Sequence, residues 1–447
     1  MRATLLLIVA VQCWSATSEL ISAADRPNIL WISIEDSSQD LGCYGDKYAV
    51  SPNIDKLASQ GCRYTNCFTH AGVCAPSRSG IITGMYPCSI GTHFMRCKGV
   101  PPAHVKCFTE HLRAAGYYCT NNNKTDYNAP IDLAATWDAN SRTAHWRDRP
   151  EGAPFLAIFN TDLTHESRIF NAALGEVTPD QVRVPPYLPD DPAILYDRAA
   201  YYELIRRMDE FVGARVRELE EAGLAEDTIV IYYSDNGGVL PRSKRYCYED
   251  GLHTAMIVRI PEKWRHLAPS GPGTVVEDPV SFIDLPPTIL SLAGVPVPEY
   301  MHGTPFLGPD RKARQYAFGG RNRMDERYDL VRTVTDGRFR YIRNYAPHRP
   351  WGQHVAYAWQ QKGYRAWEQA HIDGRLDATQ DRFWREKPTE ELYDLDADPD
   401  ELTNLAYDAK FKATAERLRR ALSAELKRTG CGFADRLPRV ADSPGTE

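Results

Sequence analysis

The 447-residue chain carries 53 Lys+Arg against 59 Asp+Glu, a formal charge of −6, with 43% hydrophobic and 25% charged residues. Such proportions are those of a soluble globular chain, and the length is enough for two or three domains with a substantial core. They exclude a general nucleic-acid or polyanion-coating role, which needs an excess of positive charge, but leave room for a local basic pocket.

In chain order, Arg2, the apolar residues 5–11 and the small residues Ser22-Ala23-Ala24 read as a signal peptide over residues 1–24. The protein is therefore expected to be exported, to the periplasm or the cell exterior, or to the lysosome in a eukaryote. No later run approaches the ~20 apolar residues that cross a bilayer, so no membrane span is expected after signal removal. Residues 28–34 form an apolar run of strand length, and Pro52 opens a helix that Gly61 stops. Residues 108–115 predict a helix ended by Gly116 and followed by a strand at 117–119. Residues 155–159 and 228–233 are further buried-strand runs, separated by a helical pattern over 197–222 with a Gly223 stop. Apolar strands alternating with helices predict an α/β domain over residues 25–300, its mainly parallel central sheet flanked by helices. After Pro298 the texture changes. Two strand-like runs surround Asp336-Gly337 within 330–345, and a helix is expected over 406–427. These predict a smaller C-terminal α+β domain with an antiparallel sheet over residues 301–447.

Eight of the 11 cysteines crowd between Cys43 and Cys119. Export permits disulfides, while the crowding equally fits small buried apolar side chains. With Cys13 in the leader and Cys74 set aside, nine remain, so at least one stays unpaired. No Cys/His spacing fits a structural zinc site.

Ligands of open α/β sheets sit beyond the carboxyl ends of the strands. Glu35 and Asp36 follow the first strand run, and Asp235 and Asn236 follow the run at 228–233. Three carboxylates and an amide oxygen make a hard oxygen set, suited to Ca²⁺, or to Mg²⁺, rather than to zinc.

The run Cys74-Ala75-Pro76-Ser77-Arg78, continuing to Thr83-Gly84, resembles the signature of the formylglycine-dependent sulfatase family of the alkaline phosphatase superfamily. Arg26-Pro27-Asn28-Ile29-Leu30, Pro52-Asn53-Ile54-Asp55-Lys56-Leu57-Ala58, Asp235-Asn236-Gly237 and Glu391-Leu392-Tyr393-Asp394-Leu395 are similar to other family motifs, so the likeness covers nearly the whole mature chain. The segments around Lys124 and Thr164-His165 look nearest to the sulfamidase-like branch, which acts on N-sulfoglucosamine.

The resemblance implies that a formylglycine-generating maturation enzyme oxidises Cys74 to an aldehyde, which hydrates to a diol. One hydroxyl attacks sulfur, and deprotonation of the other expels sulfate, which splits one hard step into two. A cation held by Glu35, Asp36, Asp235, Asn236 and the modified Cys74 would acidify the nucleophile. By the same resemblance Arg78 points back at the metal and the diol, Lys124 and Lys244 bind sulfate, and His165 protonates the leaving atom or binds sulfate. Two positions depart from the pattern. Glu35 stands where an aspartate is usual, and Asp126 stands where the family has a histidine that helps eliminate sulfate. Asp126 is carried as the replacement catalytic base, against its repulsion of sulfate.

The implied partner is a sulfated saccharide, with no nucleic acid. Residues 311–349 hold 11 Lys+Arg against 4 Asp+Glu, which reads either as a solvated hairpin face or as a wall for sulfated glycan. His93, Arg96, His253 and Arg321 are candidate substrate contacts. Two alternatives stay open: a phosphonate or phosphate ester hydrolase of the same superfamily, and a sulfated-glycan-binding protein without catalysis. The match of Asn123-Lys124-Thr125 to a glycosylation sequon reads as coincidence, because a glycan there would block the site.

Overall fold

A computed structural model describes residues 26–431, so the expected signal peptide lies outside the described residues. Nine strands form the larger sheet: β1 (Asn28–Ile34), β2 (Cys62–Phe68), β3 (Tyr118–Asn122), β4 (Ala139–Asn140), β5 (Phe155–Thr161), β6 (Thr228–Ser234), β7 (His253–Arg259), β8 (Thr274–Val276) and β9 (Val280–Ser281). Their order is β4-β3-β5-β1-β6-β7-β2-β8, with β9 also on β2. Every pairing is parallel except the two made by β7. The expected mainly parallel sheet is present, with β7 as its reversed strand.

Strand β1 is buried at all seven positions, as an unbroken apolar run requires. Ile29 and Trp31 enter one core with Ile231, Leu285 and Ile289, while Leu30, Ile32 and Ile34 enter the other with Leu57, Ile205 and Met208. Each large side chain so buried contributes roughly 1.5–3 kcal/mol. Helix α1 (Pro52–Gln60) and the long helix Pro192–Glu221 supply the second core, and α2 (Cys74–Thr83) with Phe108–Ala114 and Leu285–Leu292 supply the first. The long helix begins five residues before the expected start. Asp191 accepts a hydrogen bond from the Ala193 amide, and Pro192 takes the first helical position.

Register then fixes where chemistry can gather. Ile34 of β1 lies level with Thr161 of β5 and Ser234 of β6, so these strands end together. Because β7 runs antiparallel to β6, the connection between them stays at that same edge and needs no crossover. It carries Lys244 and Arg245, and residues 235–248 are all buried.

The second sheet is antiparallel, in the order β10 (Ala317–Arg321), β11 (Val331–Thr335), β12 (Phe339–Asn344), β13 (Glu390–Asp394). The expected hairpin is there, with Gly337 at φ +97°. One face packs Val334, Tyr341 and Leu392 against Leu418 and Leu422 of the helix Lys412–Thr429. That helix starts later than residue 406, since Asp408 instead caps a short 3₁₀ turn at Ala409–Phe411. The other face puts Val331, Ile342 and Tyr393 into a cluster with Tyr246, Tyr248 and Leu252, so the second sheet backs the connection that bears Lys244.

A disulfide joins Cys88 to Cys431, 343 residues apart, while Cys43, Cys62, Cys67, Cys74, Cys97, Cys107, Cys119 and Cys247 are free thiols. No described helix is long and apolar enough to cross a membrane.

Candidate active site

Helix α2 begins at Cys74 with Val73 extended before it, and all ten of its residues are buried. Such depth demands a close approach. A Cβ at Gly80 would lie 2.1 Å from His70 Nε2, so only glycine lets α2 settle on His70. Cys74 is 1% exposed among Val73, Ala75, Met95 and Met324. Burial pushes its thiol up, and Lys244 and then Lys124 pull against that, which places both cations within electrostatic reach of the sulfur.

Arg78, one helical turn beyond Cys74, donates from Nε to Asp235 Oδ2 at 2.9 Å and from Nη1 to Asn160 Oδ1 at 2.8 Å. Lys124 Nζ lies 2.6 Å from Glu35 Oε2 and 3.9 Å from Asp126 Oδ2. Burial disfavours its ammonium, but Cys74 and Glu35 outweigh burial and raise it. The Lys124 and Asp126 side chains are each 27% exposed and, with His165 at 12%, mark the open side of the centre.

Asp36 is the hub. Its Oδ2 accepts from Lys244 Nζ at 2.7 Å and from the Glu166 amide at 2.7 Å, and its Oδ1 accepts from Asn236 Nδ2 at 2.9 Å. Burial would raise this carboxyl, yet Lys244 and His165 hold it below the usual range. Glu35 and Asp235 go the other way. Burial raises both, and each gains further from a neighbouring carboxylate, Asp235 for Glu35 and Asp36 for Asp235.

His165 Nε2 stands 3.8 Å from Glu35 Oε2. The Ser167 amide donates to His165 Nδ1 at 3.3 Å. Ser167 Oγ also lies 2.8 Å from Nδ1, as donor or acceptor according to the tautomer, so the ring is anchored through Nδ1 with Nε2 toward Glu35. Burial and Lys244 lower the ring's affinity for a second proton.

Glu35, Asp36, Asp235 and Asn236 fit a hard divalent cation on two observations. Asn236 Nδ2 donates to Asp36 Oδ1 and to the Gly237 carbonyl, which fixes the amide and leaves Asn236 Oδ1 buried without a partner. The donors are all oxygen, and their mutual repulsion is relieved by a cation. Asp36, His165 and Glu166 also bring ligand atoms within 4.8 Å of one another. There, however, Glu166 is already met by Lys244 at 3.1 Å and by both forks of Arg245.

The structure thus brings Glu35, Asp36, Cys74, Arg78, Lys124, Asp126, His165, Asp235, Asn236 and Lys244 to one edge of the sheet. Of the outlying candidates, Arg321, His253 and His93 have other surroundings, while Arg96 follows Met95, which clusters with Cys74. Arg321 is 2% exposed and donates to the Arg245 carbonyl at 2.9 Å, so its guanidinium is engaged inside the protein. His253 pairs with Glu249 at 2.8 Å and stacks on Phe68. His93 lines an apolar cavity between the turn Pro87–Ile90, β10 and the end of the helix Lys412–Thr429, with none of the site carboxylates in its walls. Arg96 is exposed in the following loop. Four of the 11 basic residues of 311–349 pair with acids from other segments: Arg314 with Asp284, Arg338 with Asp394, Arg340 with Glu249 and Arg343 with Glu390. A charge count within one window cannot see those partners, which narrows the segment that a glycan wall could use. Sequence reasoning also missed Asn160, Glu166 and Arg245. The place of Glu166 directly after His165 was the available signal.

A family model described as sulfatase matches residues 27–295, and one described as N-sulphoglucosamine sulphohydrolase, C-terminal, matches residues 242–354. An ulvan-active sulfatase of Formosa agariphila is 38% identical, across 91% of this chain and 76% of that protein. The human N-sulphoglucosamine sulphohydrolase is 26% identical across 89% of each. A solved structure bound to its substrate D-glucosamine-2-N,6-O-disulfate superposes with a TM-score of 0.68 at 17% identity, over 92% of this chain and 99% of that one, a likeness of fold.

Proposed function

The chain belongs to the sulfatase family, and on that premise we propose that it cleaves sulfate esters or sulfamates of a sulfated saccharide through a formylglycine made from Cys74. The observation that carries this reading is the seating of Lys124 on Glu35 and of Lys244 on Asp36, within one oxygen-ligand set that Arg78, one turn beyond the buried Cys74, joins through Asp235. Two ammonium groups match the oxygens of a sulfate held against the side chain at position 74. The relatives act, by their names, on ulvan and on N-sulphoglucosamine, which supports a glycan substrate for this chain.

In this reading Glu35, Asp36, Asp235 and Asn236, with the modified residue 74, hold Ca²⁺, or Mg²⁺ in second place. When bound, the cation neutralises sulfate charge and acidifies the attacking hydroxyl. Arg78 fixes Asp235 and faces Cys74. His165, as the doubly protonated imidazolium, delivers its Nε2 proton to the leaving oxygen or nitrogen and is left neutral, or else donates from Nε2 to sulfate. Asp126, on the open side, takes the role of the base that lets sulfate leave. Residues 25–300 act as the catalytic domain and 301–447 as the smaller domain that backs the Lys244 connection. Export to an oxidising compartment agrees with the Cys88–Cys431 disulfide, and a maturation enzyme acts on Cys74.

A sulfate-release screen on defined sulfated saccharides tests the reading, run beside aryl sulfate and aryl phosphate. Sulfate release with Cys74 found as an aldehyde by peptide mass spectrometry is the expected result. An unmodified thiol in fully active protein, or faster phosphate than sulfate turnover, overturns it.

A further inference from the structure

Arg245 directly follows Lys244, is 3% exposed, and holds a left-handed backbone at φ +81°. A non-glycine residue in that region carries strain that surrounding contacts must hold. Here its amide donates to the Gly72 carbonyl at 2.6 Å, and its own carbonyl accepts from Arg321 at 2.9 Å. The side chain then forks onto Glu166, Nη1 to Oε2 at 2.7 Å and Nη2 to Oε1 at 2.8 Å. Glu166 is 5% exposed, follows His165, and ties its amide to Asp36. It also lies 3.1 Å from Lys244 Nζ.

We propose that Arg245 is a positioning residue for sulfate binding: by pairing with Glu166 it keeps Lys244 available to the sulfate. The inference rests on the sulfatase reading and deepens it. Lys244 lies between two buried carboxylates, Asp36 at 2.7 Å and Glu166 at 3.1 Å. In a water-poor site a carboxylate facing one cation holds that cation strongly. Arg245 meets Glu166 with a bidentate pair, the strongest geometry for a carboxylate. Without it, Glu166 turns its full charge on Lys244 and competes with the incoming anion. Asp325, 3.4 Å from Arg245 Nη2, adds a weaker hold from the smaller domain.

Arg245→Met in the matured, Ca²⁺-loaded protein should raise KM for the sulfated substrate by about ten- to a hundredfold, with a smaller fall in kcat, because the nucleophile is untouched. Inorganic sulfate, followed by calorimetry, should weaken in parallel. Adding Glu166→Gln to Arg245→Met should recover most of the sulfate affinity, since no lone carboxylate remains. A merely structural role predicts a double variant no better than the single one. Arg245→Lys should fall between wild type and Arg245→Met, and it serves with the double variant if the single Met variant fails to fold. Wild-type sulfate affinity in Arg245→Met, or no recovery in the double variant, overturns the proposal. A wild-type protein that binds inorganic sulfate yet releases none from any saccharide overturns the catalytic reading and leaves this test of Arg245 intact.

Discussion

The reaction centre and the second sheet are both rich in buried charge, yet they use it differently. At the centre, Asp36, Glu35 and Asp235 face Lys244, Lys124 and Arg78, and one oxygen, Asn236 Oδ1, is left without a partner. In the second sheet Arg340 is held by Glu249, with Glu401 3.3 Å away, and Lys387 lies on Asp329, so these two cations face protein acids. The contrast separates charge gathered around an unmatched oxygen among further oxygen donors from charge matched to cations of the protein itself. An unmatched atom alone does not tell them apart, since Glu401 Oε1 and Asn344 Oδ1 also lack hydrogen-bond partners; its neighbours do, for Glu401 Oε1 lies 3.3 Å from Arg340.

The largest expected effect sharpens the first half of this contrast. Cys74→Ala should lower sulfate release by about 10⁴-fold or more while the protein stays folded, as measured by sulfate assay and circular dichroism. Near-normal turnover would break the assignment. Next, chelation should abolish activity, and Ca²⁺ should restore it better than Zn²⁺, read by activity after back-titration. A strong zinc preference would refute the oxygen-ligand set.

The second half predicts the reverse pattern. Arg340→Met should cost about 3–5 kcal/mol of stability, because the ionised Glu249 is left buried without its arginine. Denaturant melts measure that loss, and KM of the folded fraction should be unchanged. A tenfold rise in KM would instead return this sheet to the substrate site.

Glu401 gives the pH dependence. Burial pushes it up to about 8 from its ordinary 4.5, against the pull of Arg340 and Arg242. The folded state therefore keeps a proton that the unfolded chain gives up, and this contribution is present below pH 4.5 and lost as pH rises to about 8. Glu401→Gln should flatten the fall in stability across that window, read by thermal unfolding at several pH values; an unaltered slope would reject it. Glu249 works in the opposite sense outside that window. Burial is outweighed by Arg340 and His253, which hold it down at about 2, so its contribution is lost only as pH falls from 4.5 toward 2. The smallest effect belongs to Arg343, a partly exposed partner of Glu390: Arg343→Ala should cost ~0.2–1 kcal/mol by thermal unfolding, with unchanged KM.

Much of the candidate site was legible because its residues sit at strand ends, where the apolar run stops and the polar pair begins. Glu35, Asp36, Asp235 and Asn236 are of this kind, and Cys74 to Arg78 form one contiguous run. Glu166 and Arg245 were not, since their meaning lies in each other across 79 positions. Arg321 misled for a related reason. It sits in a basic stretch, but Asp329, 3.3 Å away, and the Arg245 carbonyl claim its guanidinium. The helix expected from 406 failed on local chemistry, because Asp408 caps a different turn.

The Cys88–Cys431 bond has a topological consequence. Enclosing 343 positions, it turns most of the described chain into a covalent ring. A single proteolytic nick within that ring, as in the exposed residues 173–176, opens it without shedding either piece. The nicked protein keeps full mass on a non-reducing gel and separates into two bands once reduced. It then has two new ends in a surface loop beside its two original ones.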